Sequence, residues 1–412
     1  MAASRTGLRD FSVVTGAYWA FTLTDGALRM LVLLHFHALG YSPFQLALLF
    51  VLYEAAGVIT TLSGGVLASR VGLKATLSLG MLLQVAALLM LSALAVEWPK
   101  ALQVAYVVGV QGISGIAKDL TKVSAKSAIK VVTPAEASGT LFRWVALMTG
   151  SKNALKGVGF FLGGVLLAAL GFEGALWAMA ATVLAGAVGS LAMLPGGMGK
   201  VKAKKKLAQL LSRSRAVNIL SVARVLLFGA RDVWFVVALP VFLHDVLGWS
   251  FAEVGAYMAL WVIGYGIVQS ATPRFLKHGP ERNEARPAQL WGFLLSLSPV
   301  LIVIALRSGV SAPLAVLAGL AIFGVLFAIN SAVHSYLILA YADDEQVSAN
   351  VGFYYAANAV GRLAGTLLSG LVYQLHGLQA CLLVAALMLA ASATVALALP
   401  DTRQGAPSES AA

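Results

Sequence analysis

The chain repeats one pattern twelve times, a long apolar stretch closed by a short polar break, and few folds accommodate it. The stretches run at about 11–37, 44–68, 74–95, 100–125, 138–169, 173–194, 217–247, 250–272, 288–306, 313–340, 348–374 and 377–399. A helix of about 20 residues crosses the hydrocarbon core of a bilayer, and the longer stretches leave room for tilt. Pro99, Pro134, Pro195, Pro273, Pro287 and Pro313 stand near the breaks, where a helix is readily stopped. The sequence therefore predicts an all-α membrane protein of twelve transmembrane helices. Its charged fraction of 11% agrees, since soluble domains carry about 25%. The first apolar run is too long for a secretory leader and has no small-residue exit, so it is expected to be the first span.

The net charge of +12 reads as loop topology, not as a nucleic-acid surface. With the N-terminus inside, inside segments hold Arg5, Arg9, Arg70, Lys74, Lys130, the run from Lys200 to Arg215, Arg274, Lys277, Arg282, Arg286 and Arg403. Outside segments hold Lys100 and Arg307. Basic residues favour the cytoplasmic side, so both termini are expected there, in a cell (inner) membrane. The single cysteine, Cys381, leaves no intrachain disulfide and no cysteine-based metal site; no metal or cofactor is expected.

The two halves echo each other. Gly40-Tyr-Ser42 matches Gly248-Trp-Ser250, and Gly163-Gly-Val-Leu166 parallels Ser369-Gly-Leu-Val372. These shifts of 208 and 206 residues predict two pseudo-symmetric six-helix bundles, 1–195 and 216–400, with a basic cytoplasmic loop at 196–215 and a tail at 401–412. Duplication of this kind is a transporter architecture. The segment Gly65-Val-Leu-Ala-Ser-Arg70-Val-Gly72-Leu-Lys74 resembles the gating-loop motif G-x-x-x-D-R-x-G-R-K of the major facilitator superfamily. Ser69 stands where that motif has aspartate, and Leu73 where it has a basic residue. No phosphate-binding G-x-x-x-x-G-K-[ST] run is present, which argues against a built-in ATP motor. Nor is there a His-Glu-x-x-His or Gly-x-Ser-x-Gly pattern, and the chain is not expected to be an enzyme.

Charges inside the apolar stretches carry the functional signal. A charged side chain at mid-bilayer costs about 2.5–3.5 kcal/mol on insertion scales, so it faces a partner or a cavity. Span one places Tyr18, Thr22, Asp25 and Arg29 on one stripe. Asp25 and Arg29 either pair on that helix or line a cavity. Span four ends with Lys118, Asp119, Lys122, Lys126 and Lys130 on one arc, the last two at the inner membrane edge. Span five carries Lys152, Asn153 and Lys156; span seven Arg224, Arg231 and Asp232; span ten Asn330 and His334; span eleven Tyr355, Asn358 and Arg362. Interior cations are thus Arg29, Lys118, Lys122, Lys152, Lys156, Arg224, Arg231 and Arg362, against the acids Asp25, Glu54, Asp119 and Asp232. Even with every acid paired, a cationic surplus remains, which suits phosphate-like oxyanions. Asn153, Asn330, Tyr355 and Asn358 are candidate hydrogen-bonding neighbours of the substrate. Asp25, Glu54, Asp119, Asp232 and His334 are candidates for proton coupling or counter-charge, and Gly65, Arg70, Gly72 and Lys74 for the gating loop.

Four strings are more specific than the loop motif: Tyr18-Trp-Ala-Phe-Thr-Leu-Thr-Asp25-Gly-Ala-Leu-Arg29-Met, Gly115-Ile-Ala-Lys118-Asp119-Leu-Thr-Lys122-Val-Ser-Ala-Lys126, Thr149-Gly-Ser-Lys152-Asn153-Ala-Leu-Lys156-Gly and Phe228-Gly-Ala-Arg231-Asp232-Val-Trp-Phe. They resemble the ArsJ family of organoarsenical exporters. That resemblance implies a secondary active exporter of 1-arseno-3-phosphoglycerate, working by alternating access as an antiporter and conferring arsenate resistance. It also implies functional pairing with the glyceraldehyde-3-phosphate dehydrogenase that makes the compound. A monomer is expected. The residues alone reach only an oxyanion-type solute, so an organophosphate or inorganic phosphate transporter of the same fold stands beside that reading.

Overall fold

The computed structural model describes residues 5–60, 72–95, 97–132, 138–196, 214–275, 285–341 and 347–400. Within them the regular elements are helices, and no strand occurs. In chain order these are α1 (Arg5–Ala38), α2 (Pro43–Thr60, turning briefly at Leu49 and Phe50), α3 (Leu73–Ser92), α4 (Lys100–Val132), α5 (Ser138–Met193), α6 (Arg215–Phe235), α7 (Ala238–Asp245), α8 (Phe251–Phe275), α9 (Arg286–Arg307), α10 (Ala312–Ala340) and α11 (Val347–Ala396).

Eight stretches among the described residues are long and apolar enough to cross a membrane. Two of them, Ser151–Met193 and Asn350–Ala396, run to 43 and 47 residues and are not straight. α5 bends at Gly171 (φ 68°, ψ −175°) and α11 at Gly377 (φ 71°, ψ −172°). A residue with a Cβ is strained at such positive φ, which explains glycine at both bends. α1 and α4 are outside the eight, being the helices on which Asp25, Arg29, Lys118, Asp119 and Lys122 sit. Large apolar side chains such as Trp177, Leu260, Leu301 and Leu387 are exposed along the apolar stretches, as a lipid-facing surface requires.

The sequence echo is written into the backbone. Gly40 and Gly248 share φ values of 74° and 72°. Each precedes a serine that caps the next helix. The Ser42 amide donates to Gln45 Oε1 (2.9 Å) while the Gln45 amide donates to Ser42 Oγ (3.3 Å). The Ser250 amide donates to Glu253 Oε2 (2.8 Å) and the Glu253 amide to Ser250 Oγ (3.3 Å). Both are capping boxes, satisfying amides that a helix start leaves open.

The chain divides into two compact units, Met1–Lys205 with Leu239–Ile263, and Lys206–Ala238 with Gly264–Ala412. In the first, α1 packs along α5, and α3 lies against α4 and α5. Glycines set the closest approach: a Cβ on Gly159 would meet Gly26 Cα at 3.0 Å and Ala27 N at 3.1 Å. Gly159→Ala should therefore cost about 1–3 kcal/mol through overpacking, read as a lower apparent melting temperature in detergent; an unchanged melting temperature would contradict the tight crossing. In the second unit α6 packs along α11, and α9 against α10 and α11. Its core at one end gathers Val217, Leu220, Val333, Leu337, Tyr354 and Leu399.

The span expected across 217–247 is present as one apolar stretch, Arg215–Asp245, and within it the helix is interrupted between Phe235 and Ala238. Pro240 has no amide hydrogen and cannot continue the ladder. The amides of Val237 and Ala238 donate instead to Ser369 Oγ, both at 3.1 Å.

Candidate functional site

In the first unit, α1, α2 and α4 bring together most of the charges singled out in the sequence. Arg29 Nη1 donates to Glu54 Oε1 at 2.8 Å, and Glu54 is 1% exposed. Arg29 thus finds its carboxylate on α2, and Asp25, four residues away on its own helix, has a different partner. Tyr53 Oη donates to Asp25 Oδ1 at 2.5 Å. The same tyrosine ring carries Lys118 Nζ 3.8 Å from its centroid and Arg29 Cζ 5.7 Å from it. Tyr53 is therefore the hub of this cluster, joining an acid and two cations through its hydroxyl and its π face. Next to it, buried Asp119 accepts from Thr60 Oγ1 at 2.9 Å and pairs with Lys122 one turn on. Lys152, Asn153 and Lys156 lie half-buried on α5, where Lys156 Nζ sits 5.7 Å from the Phe160 ring and Ser151 Oγ accepts from Trp19 Nε1 at 2.9 Å.

The second unit holds a separate arrangement. Asp232, fully buried, lies between two arginines: Arg231 Nε donates to Oδ1 at 2.6 Å and Arg362 Nε to Oδ2 at 3.3 Å. Arg224, one face up α6, is 4% exposed and has no carboxylate partner among the described residues. Its Nε donates to Asn358 Oδ1 (3.2 Å), and its Nη1 to Ser331 O (3.3 Å) and Ser331 Oγ (3.2 Å). Its guanidinium lies 4.0 Å from the Phe228 centroid and 5.1 Å from that of Tyr354. Tyr265 Oη and Gln269 Nε2 also reach Ser331 Oγ, at 3.3 and 3.4 Å. Asn330 and His334 are each 1% exposed, and Asn330 Oδ1 and His334 Nδ1 have no hydrogen-bond partner among the described residues. Tyr355 is 43% exposed, whereas its stripe-mates Asn358 and Arg362 are half-buried.

Part of the gating loop, Gly65 and Arg70, lies outside the described residues, as do the side chains of Lys126 and Lys130. At its end Gly72 (φ 102°) precedes α3, and Lys74 Nζ donates to Leu194 O at 2.6 Å. That bond ties the start of α3 to the end of α5, as a cation capping a helix C-terminus does.

The sequence pattern of the Major Facilitator Superfamily matches residues 14–329. The chain belongs to that superfamily. Solved structures agree on the fold. A POT family transporter in complex with 5-aminolevulinic acid is 14% identical with a TM-score of 0.73, over 94% of this chain and 95% of its own. Another POT family transporter structure, with a thioalcohol-conjugated peptide, is 13% identical with a TM-score of 0.72 over the same shares. A point mutant of the nucleoside transporter NupG is 16% identical with a TM-score of 0.71, covering 96% of this chain and 99% of that one. No curated protein matches the sequence. The protein is thus a multi-pass membrane transporter of the Major Facilitator Superfamily.

Sequence reasoning did not anticipate Tyr53, Thr60, Phe228, Ser331 or Tyr354. Each is an ordinary apolar-helix residue until a neighbouring helix supplies the charge it touches.

Proposed function

We propose that this transporter carries an anionic solute, and that the solute is 1-arseno-3-phosphoglycerate, exported by alternating access so that the cell resists arsenate. The observation that carries the anionic reading is Arg224, a buried guanidinium held by neutral groups, with no carboxylate partner among the described residues. A buried cation without a counter-charge is costly, and a phosphate or arsenate oxygen completes it. The arsenical itself rests on the resemblance of the α1, α4, α5 and α6 strings to the ArsJ family. Lys118, Lys122, Lys152, Lys156, Arg231 and Arg362 are the further candidates for the substrate's anionic groups. Glu54 and Asp119 already pair with Arg29 and Lys122, and Asp232 is shared by Arg231 and Arg362, which leaves that triad one positive charge in surplus. Protonation of one of these acids would release its cation to substrate, which is how a proton gradient would be coupled.

In this reading the chain crosses the bilayer twelve times: α1 and α4 cross despite their charges, and α5 and α11 cross twice each, turning at Gly171 and Gly377. Two six-span repeats, 1–195 and 216–400, flank the basic stretch 196–215, both termini are cytoplasmic in the inner membrane, and the protein acts as a monomer alongside the dehydrogenase that supplies its substrate.

Inside-out vesicles from cells expressing the chain test the substrate. Labelled arsenate, glyceraldehyde-3-phosphate, NAD and the dehydrogenase are supplied outside. Label should accumulate only with the complete mixture. Uptake of arsenate or phosphate without the dehydrogenase would replace the arsenical with an inorganic oxyanion, and competition by ordinary organophosphates would replace it with one of those.

A further inference from the structure

A cluster unconnected with the buried cations sits at the C-terminal ends of α1 and α7, all within the first compact unit. One ligand atom each from His37, His244 and Asp245 lies within 4.8 Å of the other two. His37 Nε2 is 2.8 Å from Asp245 Oδ1, and the His37 and His244 rings meet edge to face at 5.5 Å. We infer that His37, His244 and Asp245 form a binding site for a divalent transition-metal ion of the zinc type, with a fourth position open to water.

The chemistry of each donor supports this. His244 Nδ1 lies 2.7 Å from the carbonyl oxygen of Trp249. A carbonyl only accepts, so Nδ1 carries the proton and Nε2 keeps its lone pair, the tautomer a metal needs. Such a carbonyl behind a ligating imidazole is the usual outer-shell support of a zinc histidine. The capping box at Ser250 and the turn at Gly248 hold that segment in place. His37 Nε2 carries the proton that Asp245 Oδ1 accepts, while His37 Nδ1 is buried, makes no hydrogen bond among the described residues and is open to take that proton. The ring can then yield Nε2 to a metal and carry its proton on Nδ1. The Asp245 side chain is 46% exposed, and its Oδ1 already faces the cluster through His37 Nε2. Two imidazoles and one carboxylate at about 2.0–2.2 Å from the ion make an open three-ligand zinc set. Bringing the atoms into that shell needs movements of about 1 Å, given metal–ligand lengths of this size.

His37 and Asp245 are 208 residues apart, the shift that relates Gly40 to Gly248. The metal would therefore join equivalent helix ends of the two sequence repeats, clamping α1 to α7. The sequence reading expected no metal on the ground of the single cysteine, which says nothing of a set built from histidine and aspartate.

Isothermal titration of the purified, chelator-stripped protein with Zn2+ tests the site. One ion per chain should bind. His244→Ala should abolish binding and Asp245→Asn should weaken it at least tenfold, while His376→Ala, an exposed histidine elsewhere, should leave it unchanged. Asp245 is a surface side chain, so Asp245→Asn keeps the test valid if His244→Ala fails to give a monodisperse protein. No stoichiometric binding by the unmodified protein, or equal affinity in Asp245→Asn, would overturn the assignment.

Discussion

Asp232→Ala should destabilise the protein by about 3–5 kcal/mol, the range for removing one partner of a buried ion pair. Asp232 is fully buried and its two oxygens take Arg231 and Arg362, one on α6 and one on α11. Removing the carboxylate leaves two guanidiniums facing each other at the point where Gly365 lets the helices approach, since a Cβ there would meet Asp232 Cβ at 2.8 Å. Both arginines are only partly exposed, at 15% and 20% of their side chains, so water screens the remaining repulsion incompletely. The measurement is survival of monodisperse protein after heating in detergent. A companion variant separates structure from transport. Replacing all three residues together, Arg231→Met, Asp232→Leu and Arg362→Met, should restore much of the lost stability, because well-packed apolar groups often match a buried ion pair. That variant should still fail to transport if the arginines serve the anion. An Asp232→Ala protein as heat-resistant as the parent would show that the triad contributes nothing to the crossing.

The limits of reading this fold from sequence follow from what each signal encodes. The echo of Gly40 in Gly248 is local, and the structure repeats it in their shared φ; Gly171 and Gly377 also share a φ, a pair the sequence reading did not single out. Both capping boxes were equally local, since Ser42 with Gln45 and Ser250 with Glu253 are three residues apart. The interruption at Val236 and Val237 was also within reach, because Pro240 is visible in an apolar run. Pairing was not. Helical periodicity places Asp25 and Arg29 on one face but does not say that Glu54 of the next helix reaches Arg29 first, or that Tyr53 takes Asp25. The stripe Tyr355, Asn358, Arg362 has the same defect. Its three members share a face, yet Tyr355 is exposed, Asn358 holds Arg224 and Arg362 holds Asp232. A stripe fixes direction to within a turn, and a bilayer protein has lipid, neighbours and cavity all within that angle. The cluster of His37, His244 and Asp245 marks the extreme case, as its members approach only when the chain has folded over more than half its length.

Arg224→Gln should behave in the opposite way to Asp232→Ala, with transport lost and the fold kept. Removing this guanidinium strands no carboxylate among the described residues, for its partners there are the side chain of Asn358 and the carbonyl and hydroxyl of Ser331. Glutamine can still donate to one of these oxygens, so heat resistance should stay close to that of the parent. The loss falls on the anion. A hydrogen bond to a charged group contributes about 1.5–3 kcal/mol, which corresponds to roughly 10–150-fold in apparent substrate affinity. Arg224→Lys should recover part of that, because the charge returns but not the planar fork that matches two oxyanion oxygens. The rings of Phe228 and Tyr354 sharpen the contrast, as they stack on a guanidinium plane in a way an ammonium cannot reproduce. Concentration dependence of vesicle uptake, compared across the parent, Arg224→Lys and Arg224→Gln, reads the order. Parent-like uptake by Arg224→Gln would make Arg224 a structural hub for α6, α10 and α11, and the anionic reading would then have to rest on the lysines of α4 and α5.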